Sequence, residues 1–371
     1  MAQTMKLQFK HQDFQADACN AVCDVFSGQP MAKPFSYTLD PGNDKRTMDL
    51  MLMDAFANQK LRVEKDLLTN IKKIQIDAGL KPSSDLEGTG VNLTIEMETG
   101  VGKTYTYIKT MYELNKRYGW TKFIIVVPSV AIREGVNKTF QVTADHFQQE
   151  YGKKIRSFIY NSGKLGDVES FATDSNIHVM IINVQAFAAR GKDARRISMY
   201  LDSFKGRRPI DVISATNPIL ILDEPQSMEG AVATQMIQAF NPLFILRYSA
   251  THRNPYNMIY RLDALDAYNK KLVKQIEVRG VSVIGDGATS GYVYLSKINT
   301  FVGKDPTAVV EIDYKTADGT VRKKLMTLDE GHNLYEKSGH LNEYATGWTI
   351  SRILRTGRTD TMPPRHGIMP M

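Results

Sequence analysis

Six short apolar runs, each followed by a stretch with helical spacing, constrain this chain more than any other feature. They cover Asn92–Glu96, Phe123–Pro128, Ile155–Tyr160, His178–Asn183, Ile219–Leu222 and Leu243–Ser249. A strand can be apolar along its whole length only where both faces of its sheet are covered, and parallel strands joined by helical crossovers achieve this. The expected fold class is therefore α/β, a doubly wound, mainly parallel sheet over residues 85–277.

The flanks have a different texture. Residues 9–26 place Phe14, Ala18, Ala21, Val22 and Val25 at three- and four-residue steps, which predicts an amphipathic helix. Pro30, Pro34, Pro41 and Gly42 then mark a loop. From Asp44 to Ala78 apolar residues again recur at helical spacing (Met48, Leu52, Phe56, Leu61, Leu67, Ile71), predicting one or two helices that end at Gly79. Residues 1–84 thus read as an N-terminal helical segment. Past residue 278 two alternating runs surround Ala317-Asp318-Gly319, a hairpin signal, and 278–350 reads as a small antiparallel β region. The polar, Pro- and Met-rich stretch 351–371 is expected not to pack.

Composition excludes some functions. No apolar run approaches the roughly 18 residues of a membrane span, and the first residues, MAQTMKLQFKHQDFQ, lack a secretory h-region. A cytoplasmic protein that does not engage membranes is expected. Cys19 and Cys23 have no further Cys or His pair at metal-ligand spacing and read as reduced thiols. A formal charge of +7 is compatible with a polyanionic partner.

Chemistry enters at Glu96-Met97-Glu98-Thr99-Gly100-Val101-Gly102-Lys103-Thr104, between a strand run and a helical stretch. A nucleoside triphosphate needs backbone N–H groups converging on its phosphates at a helix N-terminus, and glycines allow the close approach. Thr99, Gly100, Val101 and Gly102 would form that cradle, Lys103 would neutralise the β- and γ-phosphates, and the Thr104 hydroxyl would ligate Mg²⁺. Met97 stands where the usual pattern has its first glycine.

Ile219-Leu220-Ile221-Leu222-Asp223-Glu224-Pro225-Gln226 is a second strand ending in acids, with Asp223 120 residues after Lys103. In a phosphate-loop motor this strand is expected beside the phosphate-loop strand, so that Asp223 holds the metal and Glu224 polarises the attacking water. D-E-P-Q resembles the D-E-x-H/D/Q signature of superfamily 2 helicases, with Gln226 in its last position, and the missing first glycine also suits that group. The resemblance extends to Ser249-Ala250-Thr251, similar to the S-A-T motif whose two hydroxyls link hydrolysis to movement. Val127-Pro128-Ser129 onward resembles motif Ia, making Ser129 and Arg133 candidates for a DNA phosphate. Asn183 and Gln185 stand where motif Ib would lie and are further DNA candidates. Phe14 and Gln15 resemble the upstream Q-type motif, in which a glutamine amide selects ATP by its adenine edge.

Taken with the spellings I-E-M-E-T-G-V-G-K-T-Y-T-Y, V-V-P-S-V-A-I-R-E-G-V and Y-S-A-T-H-R-N-P-Y-N, the chain resembles the restriction (Res) subunit of Type III restriction-modification enzymes over roughly residues 5–350. That resemblance implies a RecA-like P-loop domain, ATP and Mg²⁺ as cofactors, double-stranded DNA and a methyltransferase (Mod) subunit as partners, and a family activity of ATP-dependent DNA cleavage. No second RecA-like series and no nuclease acid pair is legible after Thr251. The expectation is a truncated motor portion that binds ATP·Mg²⁺, turns it over slowly and does not cut DNA. The alternatives are a nucleotide-dependent binding fragment without turnover and another superfamily 2 helicase.

Overall fold

The computed structural model describes residues 9–42, 53–188, 196–273, 291–301, 304–345, 348–350 and 353. The chain divides into two compact units, Met1–Lys274 and Gln275–Met371. In the first unit α1 (Asp13–Val25) is followed by β1 (Phe35–Thr38), β2 (Asp54–Ala57) and α2 (Leu67–Asp77). Then β3 (Asn92–Met97), α3 (Lys103–Tyr118), β4 (Lys122–Val127), α4 (Val130–Tyr151), β5 (Arg156–Ile159), α5 (Gly166–Thr173), β6 (His178–Asn183) and α6 (Gln185–Ala188) alternate. The unit continues with α7 (Pro209–Ser214), β7 (Ile219–Asp223), α8 (Ala231–Ala239), β8 (Ile245–Ser249), β9 (Met258–Leu262) and α9 (Ala264–Asn269).

All six apolar runs are strands. They and β9 form one seven-stranded sheet in the order β5-β6-β4-β7-β8-β3-β9, with every pairing parallel. Every residue of β4, β6 and β7 is buried, as strands covered on both faces require. One face packs on α1, α2, α3 and α4 through residues such as Val22, Ile71, Met111 and Phe147. The other packs on α5, α7 and α8 through Phe171, Ile213 and Phe240. Cys19 and Cys23 are free thiols buried in the first of these layers.

Three expectations need correction. The Asp44–Ala78 stretch is helical only over Leu67–Asp77; Asp54–Ala57 is a strand, paired antiparallel with Phe35–Thr38 inside the supposed Pro-rich loop. Residues 43–52, including Met48 and Leu52, lie outside the described residues. The strand carrying Asp223 is not beside the phosphate-loop strand: β8 lies between β7 and β3. At about 4.8 Å per strand this sets the two strand ends roughly 10 Å apart, and it inserts the end of β8 between them.

In the second unit β10 (Val293–Phe301), β11 (Lys304–Lys315) and β12 (Val321–Leu328) form an antiparallel sheet, followed by α10 (Leu334–Lys337). The β11–β12 hairpin turns where Ala317-Asp318-Gly319 places it, and Gly319 has φ +87°. Val310, Ile312, Leu328, Leu334 and Tyr344 make its core, and Ile353 joins them. Residues 354–371 of the stretch expected not to pack lie outside the described residues.

The sheet's far end carries a titratable liability. His178 opens β6 with its ring between the edges of Phe158 and Phe171, at 5.4 and 5.6 Å between ring centres. Its Nδ1 is buried without a hydrogen-bond partner. The buried Lys122 ammonium nearby donates to the carbonyls of Phe171 and Asp174. Burial first, then that ammonium, lowers the His178 pKa from 6.5 to about 4. An unfolded chain protonates this ring below pH 6.5 while the folded chain resists until about 4, so stability is complete above that window and falls through it. At pH 5 the expected loss is about 2 kcal/mol. Denaturant unfolding at pH 7.5 and pH 5 should show a smaller acid loss for His178→Phe than for the wild type, and equal losses would contradict the assignment.

Candidate functional site: a lysine, two acids and a hydroxyl at the strand ends

The β3–α3 turn is built by two glycines in the left-handed region, Gly100 at φ +82° and Gly102 at φ +90°. A side chain at Gly102 would strike the Gln15 amide nitrogen at 2.7 Å, whereas a Cβ at Gly100 would meet nothing within 4 Å, leaving that side of the turn open. Thr99 bonds Glu98 through its own N–H, and Val101 is buried with its carbonyl accepting from Gln15 Nε2 at 2.9 Å. Gln15 therefore rests on the β3–α3 turn. One amide proton is committed there. Phe9, Gln15, Gly100, Gly102, Tyr105 and Lys271 line a cleft of about 660 Å³ beside it. The Phe9 and Tyr105 rings stack at 5.9 Å.

Lys103 begins α3 and reaches across β8 to Glu224, with Nζ 2.8 Å from Oε1. Glu224 follows β7 in the left-handed conformation, φ +56°, a costly geometry for a residue with a side chain. Its other oxygen, Oε2, accepts from Gln226 Nε2 at 2.8 Å and from the Ser249 hydroxyl at 2.6 Å. Ser249 Oγ also lies 3.0 Å from Gln226 Oε1 and accepts the Thr251 N–H at 3.2 Å. The interposed β8 thus delivers the hydroxyl that joins the two motifs. Burial pushes the Glu224 carboxyl up, but hydrogen bonds from Lys103, Ser249 and Gln226 outweigh it and hold the pKa below the ordinary value.

Asp223, the last residue of β7, is 5% exposed. It forms no ion pair among the described residues, and its hydrogen bond is a long one, from Tyr107 Oη at 3.4 Å. Burial, then the neighbouring Glu224 charge, raises its pKa to about 6. A buried acid so poorly compensated is a donor that a hard divalent cation would complete, and the half-buried Thr104 hydroxyl at the start of α3 is a second candidate ligand. Among the described residues no three His, Cys, Asp or Glu side chains gather to hold a metal, so such an ion would take its other ligands from phosphate and water. Tyr107 escaped the sequence reading; its signal was one helical turn of spacing from Lys103.

The four DNA candidates do not form one cluster of contacts. Ser129 caps α4, its Oγ accepting the Ile132 N–H at 3.3 Å. Arg133 pairs with Glu134 at 2.9 Å. Asn183 Nδ2 donates to Gln185 Oε1 at 3.2 Å. Arg133 and Asn183 face one cleft of about 780 Å³ that Asn137, Gln141 and Lys164 also line. No described helix is long and apolar enough to cross a membrane.

Comparison with known proteins shows the family of the chain. Residues 56–254, more than half of the 371, match the family described as "Type III restriction enzyme, res subunit". The EcoP15I Res subunit of Escherichia coli is 34% identical over 249 residues, which is 62% of this chain and 26% of that protein. The EcoPI Res subunit of Escherichia phage P1 is 33% identical over 241 residues, 59% of this chain and 25% of that one. The chain spans about a quarter of the length of these relatives. Among solved structures, the Type ISP restriction-modification enzyme LlaGI with a DNA substrate mimic is similar at TM-score 0.32 and 16% identity, covering 58% of this chain and 21% of that one. The Sulfolobus solfataricus SWI2/SNF2 ATPase core with double-stranded DNA is similar at TM-score 0.29 and 13% identity, covering 58% and 34%. With the family match covering more than half of the chain and most of its parallel sheet, this chain belongs to the Res subunits of Type III restriction enzymes.

Proposed function

We propose that the first unit binds ATP with Mg²⁺ and hydrolyses it as the DNA-dependent motor portion of a Type III restriction enzyme. The observation that carries this reading is the meeting of Lys103, Glu224, Gln226 and Ser249 in one hydrogen-bonded group, with Asp223 buried next to it. Lys103 is the only one of these with charge to offer a triphosphate, and its present partner is the acid that would act as base. When a γ-phosphate competes for the ammonium, Glu224 Oε1 is released while Ser249 and Gln226 keep Oε2 in place. A carboxylate held below its ordinary pKa is ionised at neutral pH and can take a proton from water. Backbone N–H groups at Gly100–Thr104 would orient the phosphates, and the Gln15 amide and the Phe9–Tyr105 pair would receive the base. Thr104 and Asp223 would hold Mg²⁺, which supplies charge neutralisation at the phosphate oxygens.

Double-stranded DNA is proposed to run past Ser129, Arg133, Asn183 and Gln185, in keeping with the polar cleft that two of them line. A Mod subunit is the proposed protein partner, from the family membership. Nucleotide binding and phosphate release should be measured separately on the 371-residue chain, with and without duplex DNA. Saturable, Mg²⁺-strengthened binding of a fluorescent ATP analogue, competed by ATP, is expected. A chain that binds no nucleotide at millimolar concentration refutes the reading.

A further inference from the structure

We propose that Tyr107 is a positioning residue for the metal site, a buried phenol that orients Asp223 toward the ion. The inference rests on the ATP·Mg²⁺ reading of the site and adds a residue to it. Tyr107 lies on α3 one turn beyond Lys103 and is 0% exposed. Its Oη donates to Asp223 Oδ2 at 3.4 Å. The ring is fixed by an edge contact with Tyr248 at 5.5 Å between centres, and Tyr248 is itself tied to Thr110 at 3.2 Å.

The direction of the protons gives this arrangement its meaning. The phenol has one proton, and an ionised Asp223 can only accept, so the bond runs from Tyr107 to Asp223 Oδ2. The Oδ1 oxygen of Asp223 is thereby left for the metal. A phenylalanine would fill the same core volume and make the same edge contact, so packing alone does not call for the hydroxyl. Burying a hydroxyl without a partner is costly, and here its acceptor is the metal-binding acid.

Tyr107→Phe in the full chain removes the hydrogen bond to Asp223 and keeps the ring. Mn²⁺ binding in the presence of a saturating non-hydrolysable ATP analogue, followed by electron paramagnetic resonance, should weaken roughly ten- to a hundredfold. Nucleotide binding without metal should stay within about twofold, since the phosphate loop is untouched. Tyr248→Phe deletes a neighbouring buried phenol that bonds Thr110, and it should leave Mn²⁺ binding unchanged. In the wild type, carbon-labelled tyrosine should show the Tyr107 phenol-carbon resonance moving when Mg²⁺ joins the bound analogue, with Tyr248 still. Unaltered Mn²⁺ affinity in Tyr107→Phe, equal loss in both variants, or a motionless Tyr107 resonance overturns the proposal. A wild type whose Mn²⁺ binding ignores Asp223→Asn instead overturns the underlying site reading, and this inference with it.

Discussion

A Glu224→Gln chain should bind nucleotide at least as well as the wild type while releasing phosphate roughly 10²–10⁴-fold more slowly, the range for loss of a positioned general base. The two halves of this expectation have separate causes in the structure. Glutamine is isosteric and can still accept the Ser249 hydroxyl, so the strained turn at φ +56° keeps its main tether. It cannot take a proton from water. It also cannot pair with the Lys103 ammonium, which is then available to phosphate without first leaving a carboxylate at 2.8 Å. Equilibrium binding of a fluorescent ATP analogue and single-turnover phosphate release, both with Mg²⁺, separate the two effects. Release within about threefold of wild type would remove Glu224 from the chemistry, since a general base contributes far more than that.

The strands were legible because burial on both faces writes itself directly into composition: β4, β6 and β7 carry polar residues only at their ends. β9 was missed because it is an edge strand, with Ile259 and Leu262 buried and Arg261 exposed, so no continuous run forms. β1 and β2 failed for a related reason. β1 has no fully buried residue, and the spacing that joined Met48, Leu52 and Phe56 into a supposed helix is equally compatible with a four-residue strand around Phe56. Of the site, residue identities were legible and neighbourhood was not. D-E-P-Q and S-A-T named the acids and hydroxyls, but strand order depends on which crossover goes where, and nothing in the local sequence said that β8 would lie between β7 and β3. That order explains why Ser249 reaches both Glu224 and Gln226, and why Lys103 must span a strand to meet its acid.

Lys103→Ala tests the same ion pair from the other side. Loss of a charge-assisted contact worth about 1.5–3 kcal/mol should weaken nucleotide binding by roughly ten- to a hundredfold and bring phosphate release to background. The variant has a second consequence that a simple ligand residue would not produce. Lys103 and Glu224 are mostly buried, at 10% and 23% side-chain exposure, and removing the lysine leaves Glu224 and Asp223 as adjacent acids with the compensating ammonium gone. The nucleotide-free chain should therefore lose about 1–3 kcal/mol of stability, the cost of an uncompensated buried charge. Combining Lys103→Ala with Glu224→Gln removes both charges and should recover much of that loss, so the two substitutions will not add. Denaturant unfolding of the four chains closes the cycle. Strict additivity would mean that the lysine and the glutamate do not meet in the folded protein, and the self-held base inferred from their contact would have to be abandoned.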